Sequence, residues 1–165
     1  MVVFDATILI DLLNPRTASD RLAKLENLVS ELQKSKSKIL ILIPTPALSE
    51  FLAGAGKARD SYYQKLSAST AFQVAAFDAR AAMECALMID ETYTKANKKA
   101  LAKTWTKAKF DWQIIAITKV SGANVIYSDD ADIARMGERF GIKVIKTDDL
   151  PLPASARQGK LNLDT

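Results

Sequence analysis

The chain has 165 residues, of which 48% are apolar and 25% are charged, as expected for an ordinary globular domain with a sizeable core. Its formal net charge of +4 permits a polyanionic partner without identifying one. Because the sequence has no histidine and one cysteine, it excludes serine–histidine and cysteine–histidine nucleophile pairs, histidine-ligated zinc and an internal disulfide.

Short apolar runs rich in valine and isoleucine alternate with longer segments of helical periodicity. The runs do not alternate cleanly between apolar and polar residues, so they predict strands covered on both faces. We predict strands at about 2–5, 39–43, 72–76, 124–128 and 142–145. We predict helices at about 6–13, 18–34, 57–69, 79–93, 97–120 and 131–140, and a further helix that starts at Thr45-Pro46 with Thr45 as its N-cap.

This alternation predicts an α/β fold with a central parallel sheet of about five strands flanked by helices. We expect one domain over residues 1–150, followed by an irregular tail over 151–165. The lone cysteine fits a reducing, cytoplasmic setting. Neither a signal peptide nor a membrane partner is expected, because no apolar run approaches the roughly 20 residues that span a bilayer.

Acidic residues occur where two of the apolar runs end. Asp5 closes the first run, and Asp130 comes just after the fourth. If strand one is central and strand four lies on its other side, both carboxylates face the crevice where the strand order reverses. A buried strand has little reason to end on a carboxylate unless a ligand there needs the charge.

Two further acids lie in helical segments. Asp111 lies within 110–117, which is apolar nearly all round, and Glu50 lies about one turn into the helix that starts at Thr45. A buried carboxylate without a partner would usually protonate, and a divalent cation removes that cost. Four converging carboxylates therefore predict a Mg²⁺ or Mn²⁺ site for phosphodiester hydrolysis, with activity that needs the metal and falls at acidic pH.

The segments around these acids resemble motifs of the PIN-domain ribonucleases, most closely the VapC-type toxins of toxin–antitoxin modules. The similar segments follow the family's order across about residues 1–146: Val3-Phe4-Asp5-Ala6-Thr7, Thr45 to Phe51, Lys109 to Ile114, and Ser128-Asp129-Asp130-Ala131-Asp132-Ile133. The resemblance implies a PIN-like fold and a metal-dependent endoribonuclease that cleaves RNA. It also implies a homodimer restrained by a small antitoxin protein.

The resemblance further implies a set of catalytic carboxylates, which are Asp5, Glu50, Asp111 and Asp130. All but Glu50 would be principal ligands of Mg²⁺ or Mn²⁺, and Glu50 would bind the metal or orient its water. Asp132 is a further candidate ligand, and the adjacent Asp129 leaves the identity of the fourth ligand open. Ser128 and Thr7 would support the site through their hydroxyl groups.

Each acid also has an ordinary explanation. Asp5 and Asp130 could cap the helices that follow them, because aspartate is favoured at the N-cap. Glu50 could be a solvated helix residue, and Asp111 could form a structural ion pair with a lysine such as Lys107. All four explanations would have to hold together for the site to be absent.

Lysines crowd the segment before Asp111, with two tryptophans interleaved: Lys95, Lys98, Lys99, Lys103, Lys107, Lys109, Trp105 and Trp112. One interpretation is a basic track that holds RNA phosphates, with Lys103, Lys107 and Lys109 as candidate contacts and the tryptophans offering faces to bases. The simpler alternative is a solvated helix face with two core tryptophans.

The sequence is also compatible with two other functions. The fold could serve as a module that binds RNA or a partner protein without cleaving RNA. It could also be a phosphatase that forms an aspartyl-phosphate, but haloacid-dehalogenase-type enzymes need a second aspartate two residues after the first. Thr7 occupies that position here, which argues against the phosphatase.

Overall fold

The computed structural model describes residues 1–93 and 98–153, and for 98–107 it describes the backbone alone. Within these residues the strands are β1 (Val2–Phe4), β2 (Ile41–Pro44), β3 (Phe72–Ala75), β4 (Val125–Tyr127) and β5 (Lys143–Ile145). The helices are α1 (Ala6–Leu13), α2 (Ser19–Lys34), α3 (Thr45–Gly54), α4 (Arg59–Ala68), α5 (Ala79–Thr92), α6 (Lys98–Val120) and α7 (Ala131–Arg139). Short 3₁₀ turns occur at Gly56–Ala58 and Thr147–Asp149.

The five strands form one parallel sheet in the order β3-β2-β1-β4-β5. The chain builds outward from β1 to β3 and then returns to the other side of β1, where Phe4 lies opposite Tyr127. The strand order therefore reverses between β1 and β4, which meets the condition on which the sequence placed Asp5 and Asp130 in one crevice. In open α/β sheets this is the position where ligands bind, beyond the carboxyl ends of the strands.

Helices cover both faces of the central strands, because successive side chains of a strand point to opposite faces. Val3 packs with buried residues of α5, α6 and α7, including Met88, Ile115 and Ile133. Phe4 packs on the other face with residues of α1 to α4, and its ring meets that of Tyr127 edge to face at 5.4 Å. The sheet is thus the middle layer of three, which explains why its central strands are apolar throughout.

The structure corrects three details of the prediction. β3 lies at an edge of the sheet with Gln73 and Val74 exposed, so it is not covered on both faces. Helix α3 begins at Thr45 itself, which therefore is not the N-cap; its hydroxyl accepts a hydrogen bond from the Phe77 N–H at 3.1 Å. The predicted helix at 57–69 begins as a 3₁₀ turn, and α4 proper starts at Arg59.

Residues 151–153 belong to no helix or strand, and the remainder of the predicted tail lies outside the described residues. Among the helices that are described, none combines the length and the apolar composition that crossing a bilayer requires.

Gly137 allows α7 to pack closely against β5. A Cβ atom at this position would lie 2.5 Å from Val144 Cγ2 and 3.0 Å from the Ile142 carbonyl oxygen. We therefore expect Gly137→Ala to lower the free energy of unfolding in urea by about 1–3 kcal/mol, the usual cost of overpacking. Gly54→Ala is the matched control, because a Cβ there meets nothing within 4 Å and alanine favours a helix. Equal stability of the two variants would contradict this account.

Candidate metal centre

Asp5 is buried at the carboxyl end of β1, with 4% of its surface exposed. Its Oδ2 atom accepts hydrogen bonds from the Ser128 hydroxyl at 2.8 Å and the Thr7 hydroxyl at 3.2 Å. Burial raises the pKa of this carboxyl above its ordinary value, although both hydroxyl bonds act against that rise. Asp5 occupies the N-cap position of α1 without a side-chain capping bond, so capping does not explain its presence.

Asp130 follows β4 and caps α7. Its Oδ1 atom accepts hydrogen bonds from the N–H groups of Asp132 at 2.6 Å and Ile133 at 3.2 Å, so the capping interpretation is confirmed. Its own N–H donates to the Ser128 hydroxyl at 3.1 Å, which in turn holds Asp5. Because capping uses one carboxylate oxygen, the other oxygen of Asp130 has no hydrogen bond within the described part of the chain. Capping and cation binding are therefore compatible at this residue.

The neighbouring Asp129 points elsewhere. Its two carboxylate oxygens accept hydrogen bonds from the Thr147 N–H at 2.9 Å and the Thr147 hydroxyl at 2.8 Å. Arg21 also binds this carboxylate through Nη2. Asp129 is thus occupied in a structural role, which favours Asp130 as the acid of this motif that faces a ligand.

Asp111 is half-buried in α6, where the residues that follow it, from Trp112 to Ile117, form part of the core. Burial, followed by the negative charges of the neighbouring acids, raises its pKa from 3.8 to about 7; these acids are Asp130, Asp132, Asp5 and Glu50. The side chain of Lys107 lies outside the described residues. Among the side chains that are described, no lysine or arginine forms an ion pair with Asp111, so its charge is uncompensated by them.

A cavity of about 440 Å³ beyond the sheet is lined by several acidic side chains. The residues that line it are Ser49, Glu50, Ala53, Phe110, Asp111, Asp130 and Asp132. Glu50 is exposed on α3, yet burial of its carboxyl and the charges of Asp5 and Asp130 raise its pKa. It is therefore part of the acidic group and not an isolated solvated residue.

Asp5 does not line this cavity, but its charge contributes to the raised pKa of both Glu50 and Asp111. Within the described chain, no three of the acidic side chains converge closely enough in this conformation to coordinate one ion. The donors are carboxylate and hydroxyl oxygens, which suit a hard cation such as Mg²⁺ or Mn²⁺.

Arg21 organises the loop that carries Asp130, a role that the sequence did not indicate. Its guanidinium binds Asp11 through Nε at 2.6 Å, Asp129 through Nη2, and Asp148 through Nη1 at 3.5 Å. These contacts join α1, α2, the loop after β4 and the 3₁₀ turn at 147–149. Nothing around Arg21 distinguishes it from the other basic residues of α2. The only sequence signal was indirect, since Asp129 lies beside a candidate ligand and needs a cation.

The predicted basic track lies largely outside the described side chains. This is the case for Lys103, Lys107 and Trp105, and only Lys109 among the candidate RNA contacts is described. Lys109 Nζ lies 5.2 Å from the centre of the ring of Phe110, which lines the acidic cavity. Trp112 is buried between Tyr93 and Phe140, at ring distances of 6.1 and 5.9 Å. The interpretation of Trp112 as a core residue is therefore confirmed.

The PIN domain family model matches residues 2–139, a span that contains all four acidic motifs. The chain belongs to the PIN domain family. This confirms the resemblance read from the sequence and agrees with the five-stranded parallel sheet. No curated protein matches this PIN domain significantly in sequence.

Three solved structures share the fold of this PIN domain. VapBC2 from Rickettsia felis, bound to a DNA fragment from its promoter, is 14% identical with a TM-score of 0.59, and the match covers 88% of this chain and 98% of the other. DNA-bound VapBC from Salmonella typhimurium is 18% identical with a TM-score of 0.53, covering 88% and 97%. VapC20 from Mycobacterium tuberculosis, a sarcin–ricin loop cleaving toxin, is 17% identical with a TM-score of 0.55, covering 83% and 95%. At these identities the comparison establishes the shared fold.

We expect the cation-free PIN domain to lose stability as the pH rises from 3.8 to about 7, the interval between the ordinary pKa of Asp111 and its value in the fold. In that interval the folded state binds more protons than the unfolded state, so the free energy of unfolding falls with increasing pH. Urea unfolding in EDTA at several pH values measures this.

Asp111→Asn stays neutral at every pH, so its stability should depend less on pH and exceed that of the wild type above pH 7. Asp60→Asn removes an exposed carboxylate of α4 and is the matched control. If Asp111→Asn and wild type had the same stability throughout, Asp111 would carry no unfavourable charge in the fold.

Arg21→Ala should lower the free energy of unfolding by about 1 kcal/mol, because it leaves Asp11 and Asp129 without their shared cation while both remain partly solvated. The same substitution made on an Asp129→Asn background should cost less, and this coupling is measured by a double-mutant cycle in urea. Arg16→Ala, an exposed arginine whose side chain has no described partner, should be neutral. Additive effects of the Arg21 and Asp129 substitutions would contradict the network.

Proposed function

We propose that this PIN domain is a metal-dependent endoribonuclease that hydrolyses RNA phosphodiester bonds. The observation that carries the proposal is the acidic cavity beyond the sheet. Carboxylates from α3, α6 and α7 line it, and the charge of buried Asp5 adds to them. Such a concentration of negative charge is costly unless the protein binds a cation there.

In the proposed mechanism Asp5, Asp111 and Asp130 hold Mg²⁺ or Mn²⁺, and Asp132 is a further candidate ligand. The bound cation would supply an activated water and neutralise charge on the scissile phosphate. The residues of the chain do the remaining work. Ser128 fixes the orientation of Asp5 by donating to its Oδ2, and Thr7 holds the same oxygen from the other side.

Glu50 has the role of orienting the attacking water and accepting its proton. Burial and the charges of Asp5 and Asp130 raise its pKa, and a higher pKa makes a carboxylate a stronger base. Glu50 lines the cavity from α3, whereas Asp132 lines it from α7. Lys109, whose ammonium lies near the ring of Phe110, would contact an RNA phosphate.

We further propose that the protein is the toxin of a toxin–antitoxin pair, with RNA as substrate, a small antitoxin protein as partner and a homodimer as the functional unit. Support comes from the fold shared with the two VapBC proteins and with the sarcin–ricin loop cleaving toxin. The motifs that resemble VapC-type toxins all lie within the matched span.

The proposal is tested by incubating the purified protein with a mixed cellular RNA pool in Mn²⁺, Mg²⁺ or EDTA. We expect discrete fragments that require the divalent metal. Asp111→Asn should reduce their rate of formation on the order of 100-fold, as is typical when a charge-stabilising or acid–base group is lost. Asp60→Asn, which removes an exposed aspartate of α4, should cleave at the wild-type rate.

Fragments that persist at full rate in EDTA would point to a contaminating nuclease, whereas full metal-dependent cleavage by Asp5→Asn and Asp111→Asn would overturn the proposal. If folded, metal-loaded protein free of any partner bound RNA but did not cleave it, the ribonuclease proposal would be replaced by the binding module.

A further inference from the structure

A second cavity of about 360 Å³ opens next to the acidic one. Asp111 and Asp132 line both cavities, so the second adjoins the candidate metal centre. Its other described lining residues include Tyr93, Met136 and two arginines, Arg135 and Arg139. None of these four residues has a role in the proposed cleavage step.

The charge along the wall of this cavity changes sign over a short distance. Asp132, Arg135, Met136 and Arg139 lie three or four positions apart on α7, so they share one face of that helix. Arg139 lies seven positions after Asp132, a rise of about 10 Å along the helix at about 1.5 Å per residue. One end of the cavity therefore carries the acids of the metal centre, and the other end carries cationic groups.

Both arginines are available to an anion. Arg135 binds Asp132 at 2.8 Å, but 74% of its side chain is exposed. Arg139 is exposed and has no carboxylate partner among the described residues; its guanidinium carbon lies 5.9 Å from the centre of the Phe140 ring. Arginine suits phosphate recognition because its donors form a planar fork.

The inner wall between these charged ends is apolar and aromatic. Tyr93 and Met136 are partly exposed and line the cavity with Trp112, whose buried indole N–H has no acceptor within the described part of the chain. The volume lies within the range of small-ligand pockets, which combine apolar walls with a few polar groups. An aromatic surface beside cations is the combination that single-stranded nucleic acid requires.

We propose that this cavity is a subsite for the nucleotide next to the scissile phosphate of a single-stranded RNA. Its phosphate lies on Arg135 and Arg139, and its base packs against Tyr93 and Met136. The inference rests on the proposed ribonuclease function, since the acidic cavity receives the scissile phosphate. A strand is favoured over a free anion because one chain of phosphates can reach both cavities through their shared residues, Asp111 and Asp132.

The test measures binding of a short fluorescent single-stranded RNA by anisotropy over a series of salt concentrations. The Asp111→Asn background in EDTA keeps the RNA intact. Arg135→Gln and Arg139→Gln should each weaken binding and reduce the slope of log K against log salt by about 0.7, the value for one lost phosphate contact on a single strand. Met136→Ala should weaken binding and leave the slope unchanged, because a contact with a base releases no counterions.

Arg80→Gln is the matched control. Arg80 is exposed and lies near the Val120 carbonyl, nine residues along α6 from Asp111, so it should affect neither affinity nor slope. In the otherwise wild-type protein with metal, Arg139→Gln should raise KM and leave kcat nearly unchanged.

The two proposals fail separately. If the wild type cleaves RNA but the Arg135 and Arg139 variants bind with the slope of the Arg80 variant, the subsite is overturned and the ribonuclease stands. If the wild type does not cleave RNA but the slopes fall as expected, the subsite stands as an RNA-binding site and the ribonuclease proposal is overturned. Equal slope changes in all three arginine variants would reflect net charge alone and would also overturn the subsite.

Discussion

The hydrogen bond from Ser128 to Asp5 is the interaction on which the arrangement of the candidate site depends. It joins the ends of β1 and β4, the two strands between which the order of the sheet reverses. A carboxylate this deeply buried needs donors, and the Ser128 hydroxyl serves twice because it also accepts from the Asp130 N–H. The position of one acid is thereby tied to that of another, and the parallel sheet supplies the alignment that makes this possible.

The adjacent residues Asp129 and Asp130, in the loop after β4, have different roles. Asp129 turns toward Thr147 and Arg21 and anchors the loop, whereas Asp130 turns toward the cavity and caps α7. Arg21 neutralises acids outside the cavity, while no described cation pairs with Asp111 inside it. The negative field is thus concentrated at one place in a chain whose net charge is +4. A negative cavity in a positively charged protein favours binding of a cation inside the cavity and of a polyanion on the surrounding surface.

Much of this was accessible from the sequence because its signals are local. Apolar runs located the strands, and Asp111 stood out because a carboxylate is costly in an apolar helix. The sequence did not indicate that β3 is exposed, because its residue types are equally compatible with an edge strand and a central strand. The sequence did not indicate the role of Arg21, because its partner Asp129 is 108 residues away and local sequence patterns carry no information on such distant contacts. Likewise, the choice between Asp129 and Asp130 depends on which way each side chain turns after the strand ends.

The charge pattern of α7 has two physical explanations that act together. Acids near the start of a helix and bases near its end are favoured by the helix dipole, so Asp132 and Arg139 stabilise α7 wherever they point. The dipole, however, does not require these charges to share a face. One cavity is lined by Asp132, Arg135 and Arg139. Helix stability does not require this shared face, which arises because the three residues are three or four positions apart. Helix α7 is capped by Asp130 in the candidate metal centre. Along its cavity face the side chains change from acidic to basic with distance from that centre, in the direction proposed for the RNA strand.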